Sequence, residues 1–248
     1  MSFWRATYAI LKKDLQSEFR TKEVFNSALV FSLLVIVTFS LAFEPSTEQA
    51  KQLAGGLLWI AYAFSAMLAL SRTFAREVPN DCLLGLQMAP ISPAAIYTGK
   101  FFGNVIFLGL LELILLPLFA VFYNIRLWGP EVALQWSFDL PGISPFEIGL
   151  GVGPALLLIV GLGTWGLAAV GTSFAAIATS VRMRELMLPV LLLPIEIPLL
   201  LSLVEATSAV IQAGDFLLDP STWLKICFGF DVIFTLLSLF LFEYILGD

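Results

Sequence analysis

The sequence predicts an all-α membrane protein: six transmembrane helices behind an N-terminal interfacial amphipathic helix, with both termini cytoplasmic. Three observations predict it. Apolar residues make up 59% of the chain and charged residues only 13%, where soluble domains carry about 25% charged residues. Apolar runs recur that reach the roughly 20 helical residues needed to cross about 30 Å of hydrocarbon. Basic residues also segregate. With alternate connections on opposite sides, Arg5, Lys12, Lys13, Arg20, Lys22, Arg72, Arg76, Lys100, Arg182 and Arg184 share one face, leaving Lys51, Arg126 and Lys225 on the other. An excess of Lys and Arg marks cytoplasmic connections, so the net charge of −6 does not set the orientation.

Residues 1–23 read as a helix lying on the membrane surface. Trp4, Tyr8, Leu11, Leu15 and Phe19 recur at helical spacing, and Arg5, Lys12, Lys13, Asp14, Glu18 and Lys22 supply charge. Apolar area on one face with basic groups near anionic lipid favours that position. Spans are expected near 24–43, 53–74, 101–125, 149–181, 186–206 and 224–246, all within one membrane domain, 1–248. Ser40-Leu41-Ala42 weakly resembles a signal cleavage site, but the run before it has full spanning length, and a retained helix is expected.

The fourth apolar run, 148–181, is longer than a bilayer requires. Pro154 with Gly149, Gly151 and Gly153 predicts a break near its outer end. Further along, Gly161, Gly163, Gly166, Gly171, Ala175 and Ala176 lower the helix surface so that neighbouring backbones approach closely. In the fifth span Pro189, Pro194 and Pro198 each remove a backbone hydrogen bond, and an irregular helix is expected.

Several chemistries are excluded. The chain has no histidine, hence neither the commonest haem or zinc ligand nor the commonest general base. Cys82 and Cys227 form neither a disulfide framework nor a metal-ligand spacing. Residues 161–166 satisfy GxGxxG, but inside a span the pattern serves helix packing, because a dinucleotide site needs a strand before it. Gly99-Lys100 lacks the remainder of a phosphate loop. The chain is therefore expected to be non-catalytic, with no directly bound cofactor and no nucleic-acid partner.

Three polar features carry the functional reading. Segment 75–100 brackets short helical turns between Pro79, Asn80-Asp81 and Pro90. By shape it is either a docking element for a cytoplasmic partner or a helix lying in headgroups. In the first case Leu83 and Leu86 serve as apolar anchors, Arg76, Glu77 and Asp81 as rim contacts, and Pro90 belongs to the same surface. The tight turn containing Arg182, Arg184 and Glu185 either fixes topology or touches the same partner. Within the spans, Glu112, Glu196 and Asp231 each cost about 2.5–3.5 kcal/mol at a helix centre on insertion scales. They line a proton or substrate path, or they bond other helices at subunit contacts.

The order of segments resembles the CcmB family, the membrane subunit of the cytochrome c maturation ABC transporter. The residues that carry the resemblance are Gly56-Leu57-Leu58-Trp59-Ile60-Ala61, Arg72-Thr73-Phe74, Leu83, Leu86, Pro90 and Lys100. Gly171-Thr172, Arg182 through Pro189, and Leu193 through Pro198 continue it across almost the whole chain. The chain departs from the family pattern at Asn80-Asp81, at Leu84 and at Glu196. The resemblance implies a permease without its own motor in the bacterial cytoplasmic membrane, or in an organellar one. Its partners would be the ATPase CcmA, the membrane subunits CcmC and CcmD, and the haem chaperone CcmE. ATP would bind the partner, and haem would be cargo. No tryptophan-rich haem segment is present, which favours a mechanical role over haem ligation. Three alternatives stand beside this reading: an ion-coupled secondary transporter using the intramembrane carboxylates, a type-2-like ABC permease for another amphipathic substrate, and a structural scaffold.

Overall fold

The structure is a computed structural model that describes residues 2–43, 48–74, 77, 85, 88–125, 127, 131–136, 146–180, 184–212 and 220–247. Helix α1 spans Phe3–Thr21 and α2 Glu23–Ala42, joined at Lys22 in the left-handed region (φ 53°). The corner is held by Glu18. Its backbone carbonyl accepts from the Lys22 N–H, and its carboxylate accepts from the Phe25 N–H at 3.1 Å. A carboxylate at that point satisfies an otherwise unpaired amide and complements the α2 dipole.

Helix α3 covers Glu48–Ser71 and α4 Pro93–Phe122, the latter entered through Ser92 with Pro93 at its first position, where a missing N–H costs nothing. An antiparallel hairpin follows, β1 Glu131–Trp136 paired with β2 Phe146–Gly151, in the register Glu131 opposite Gly151. Helices α5 (Val152–Ile177), α6 (Arg184–Ile211) and α7 (Pro220–Gly247) complete the chain, with a 3₁₀ turn at Ala178–Ser180. Among the described residues six helices, α2 through α7, are long and apolar enough to cross a membrane.

The helix that contains the expected third span begins at Pro93, so Lys100 is a helical residue and the end of segment 75–100 belongs to α4. The break expected at the start of the fourth run is a strand-to-helix junction: residues 146–151 pair as β2, and the helix starts at Val152. Helix α6 runs through Pro189, Pro194 and Pro198, and Ser202 Oγ donates to the Pro198 carbonyl one turn back at 2.7 Å.

Helix α5 lies at the centre, packed against α3, α4, α6 and α7. Its small residues permit this. A Cβ at Gly163 would overlap the Trp59 ring, and one at Gly166 would come within 2.5 Å of Asp231 Oδ1 and Leu199 Cδ2. Helix α1 packs against the first turns of α4 through Ala6, Thr7 and Ile10, all buried, with Ile10 and the Thr7 carbonyl 3.0 Å from where a Gly99 Cβ would stand. Trp4, Tyr8 and Phe19 remain outward-facing on the other side of α1. Phe242, near the end of α7, meets Phe74 and Tyr97 with ring centroids 6.4 and 5.3 Å apart. The two ends of the chain thus share one end of the bundle.

Candidate functional site

The charged site forms where α1, the end of α3 and the start of α4 converge. Lys100 is the eighth residue of α4 and only 2% exposed. An ammonium at that depth needs partners for all three of its donors, and it has them. Its Nζ lies 2.8 Å from Glu77 Oε1 and 3.0 Å from Asp14 Oδ2, and donates to the Thr73 carbonyl at 3.0 Å. The Phe74 ring stands beneath the same nitrogen, its centroid 4.9 Å away, a cation–π contact. Lys13 completes the cluster, donating to Glu77 Oε1 and lying 3.2 Å from Asp14 Oδ1.

Glu77 therefore connects α1 and α4. Burial opposes its charge, but the Lys100 and Lys13 ammonium groups outweigh burial and hold its carboxyl below the ordinary value. Burial likewise works against the Lys13 charge, and Asp14 and Glu77 overcome it, raising Lys13 above its ordinary value. A polar path leads inward from the cluster. Thr73 Oγ1 donates to Asn104 Oδ1 at 3.1 Å, Asn104 Nδ2 to Thr172 Oγ1 at 2.9 Å, and Thr172 Oγ1 to the Ala168 carbonyl at 2.6 Å. The end of α3, helix α4 and helix α5 are tied by successive hydrogen bonds.

Of the partner-contact residues expected from sequence, Glu77 is buried and faces its own chain. Pro90 is exposed, just before α4. Arg184 and Glu185 open α6. Arg76, Asp81, Leu83, Leu86 and Arg182 lie outside the described residues. Lys13, Asp14 and Lys100 were not singled out as a site. The usable signal was a lone lysine flanked by Gly99, Phe101 and Phe102, because a cation in an apolar stretch requires a carboxylate.

The three intramembrane carboxylates are not brought together as one site. Glu112 accepts from Thr164 Oγ1 at 2.6 Å, and that hydroxyl lies 3.0 Å from the Tyr62 hydroxyl. Glu196 is fully buried, with neither carboxylate oxygen hydrogen-bonded among the described residues. Both face the interior of this chain's own bundle. Asp231 differs: it is 3% exposed, its two oxygens lack hydrogen-bond partners among the described residues, and it borders an outward groove between α5 and α7. Leu158, Leu162, Phe228 and Val232 form apolar walls of that groove, and Trp165 Nε1 donates to Thr235 Oγ1 at 3.0 Å across it.

The family model for CcmB protein matches residues 5–140 and 146–246. This chain belongs to the CcmB family. It is similar to heme exporter protein B of Rhodobacter capsulatus, 30% identical over 193 residues covering 78% of each chain. The heme exporter protein B of Pseudomonas aeruginosa is 26% identical over 77% of this chain and 76% of its own. That of Haemophilus influenzae is 27% identical over 83% and 84%. The match includes Lys13, Glu77 and Lys100, so the charged cluster lies within the portion that CcmB proteins share with this chain.

Proposed function

We propose that this CcmB-family protein is the permease subunit of an ABC-type haem exporter acting in cytochrome c maturation, moved by ATP hydrolysis on a separate subunit. The α1 end of the bundle faces the cytoplasm in this reading, which the distribution of Lys and Arg supports. The observation that carries it is the double tether of Glu77. This residue follows α3 closely, and it is bonded to α1 through Lys13 and to α4 through Lys100. A displacement imposed on the segment after Glu77 is therefore passed to two helices at once, and through Thr73, Asn104 and Thr172 to the central helix α5. Coupling needs only that the ATPase contact this segment differently in its two nucleotide states.

Within this reading the ATPase is of the CcmA type and contacts Leu83, Leu86, Arg76 and Asp81, and also Arg182, Arg184 and Glu185. CcmC and CcmD are the membrane partners, and the haem-loaded chaperone CcmE is released by the cycle. The groove at Asp231 supports a lateral contact with a membrane partner whose helix offers a hydrogen-bond donor to the unpartnered carboxylate. The test replaces Leu83 and Leu86 together by Asp. Loss of ATPase copurification and of cytochrome c maturation, with the chain still in the membrane, is expected; retention of both would defeat the docking assignment.

A further inference from the structure

A cavity of about 470 Å³ opens beside the Glu77 cluster, between α1, the end of α3 and α4. Its wall is divided in character. Lys13, Arg72 and Lys100 are matched by Asp14, Glu18 and Glu77, while Val24 and Phe107 continue the wall into the apolar part of the bundle. Two of the charged groups have capacity to spare. Glu77 Oε2 is buried and lacks a hydrogen-bond partner among the described residues, and its residue is 6% exposed. The Arg72 guanidinium is exposed and forms no ion pair among the described residues. A buried carboxylate oxygen without a donor is a costly arrangement that a ligand cation relieves. A guanidinium at the rim is suited to phosphate.

We propose that this cavity binds the headgroup of a zwitterionic aminophospholipid, with its phosphate on Arg72, its ammonium on Glu77 Oε2, and an acyl chain leaving along Val24 and Phe107. The balance of charge decides against a purely anionic ligand, because a dianion drawn to Arg72 would meet Asp14, Glu18 and Glu77. The apolar wall decides against a free phosphate, which has no use for it. The cavity size suits a headgroup, since ligand pockets run from about 300 to 1,000 Å³. This inference rests on the cavity alone and stands or falls separately from the ATPase reading.

The test uses the full chain, stripped of lipid in detergent and equilibrated with dioleoylphosphatidylethanolamine, dioleoylphosphatidylglycerol or inorganic phosphate, with bound species counted by native mass spectrometry. The wild type is expected to retain one phosphatidylethanolamine at least about fivefold over phosphatidylglycerol. Arg72→Gln is expected to lower that retention about tenfold, the loss of one charge-assisted contact. Glu77→Gln is expected to abolish the preference between the two lipids. Equal retention of both lipids by the wild type would overturn the proposal. So would undiminished phosphatidylethanolamine binding by Arg72→Gln, or displacement of the lipid by inorganic phosphate. If Glu77→Gln does not fold, the wild-type and Arg72→Gln comparison decides alone.

Discussion

Lys100 Nζ stands 2.8 Å from Glu77 Oε1, and the two side chains are 2% and 8% exposed. The pair joins the start of α4 to the residue from which the connecting segment departs, and Asp14 brings α1 into the same contact at 3.0 Å. Removing one member of a buried pair leaves an uncompensated charge, which costs about 3–5 kcal/mol. Replacing both by apolar groups is often close to neutral.

Lys100→Met is accordingly expected to lose about 3–5 kcal/mol of stability, read as a lowered thermal midpoint of the full chain in detergent. Lys100→Met combined with Glu77→Leu should recover much of the loss. A double variant no better than the sum of its parts would show that the two residues act independently.

Acid should loosen the same contact. The folded-state Glu77 carboxyl lies below its ordinary value of 4.5, so its contribution is complete above that value and is lost as pH falls through the folded one. From about pH 6 down to about pH 3, the wild-type midpoint should fall more steeply than that of Glu77→Gln. Parallel slopes would remove Glu77 from the acid response.

Helix α5 offers a steric prediction. Gly163→Ala places a methyl group into the Trp59 ring, whose Nε1 is held by Thr207 Oγ1 at 2.8 Å, so the ring cannot swing freely. Overpacking of this kind costs about 1–3 kcal/mol. Gly161→Ala, where nothing lies within 4 Å, is the matched control and should be neutral. Equal thermal midpoints for the two variants would contradict the close approach of α3 and α5.

The carboxylates separate two mechanisms. Glu112→Gln combined with Glu196→Gln should leave cytochrome c maturation above about half of the wild-type level, since Thr164 can still donate to an amide oxygen at position 112. Asp231→Leu should instead lower the recovery of membrane partners by about fivefold, the loss of one buried hydrogen bond. Abolition of maturation by the first pair would favour an ion-coupled path.

Much of the fold was legible because hydrocarbon imposes length and polarity on every span. Among the described residues six helices are long and apolar enough to cross a membrane, as many as the apolar runs of the sequence. The β1–β2 hairpin was not legible: Phe146–Gly151 reads as apolar and glycine-rich, and only pairing with Glu131–Trp136 distinguishes it from a helix start. The charged cluster was hidden for a related reason. Asp14, Glu77 and Lys100 are far apart in sequence, each looks like a surface charge, and only the packing of α1 on Gly99 brings them together. Glu112 and Glu196 were legible as costly residues but not as interior ones, because orientation within a bundle depends on neighbours that a single apolar run does not reveal.

The most direct test of the central claim is haem movement in proteoliposomes holding this chain, with and without its ATPase partner. The expected result is ATP-dependent movement with the partner present and none by the chain alone, whatever ion gradient is imposed. Gradient-driven movement by the lone chain would contradict it.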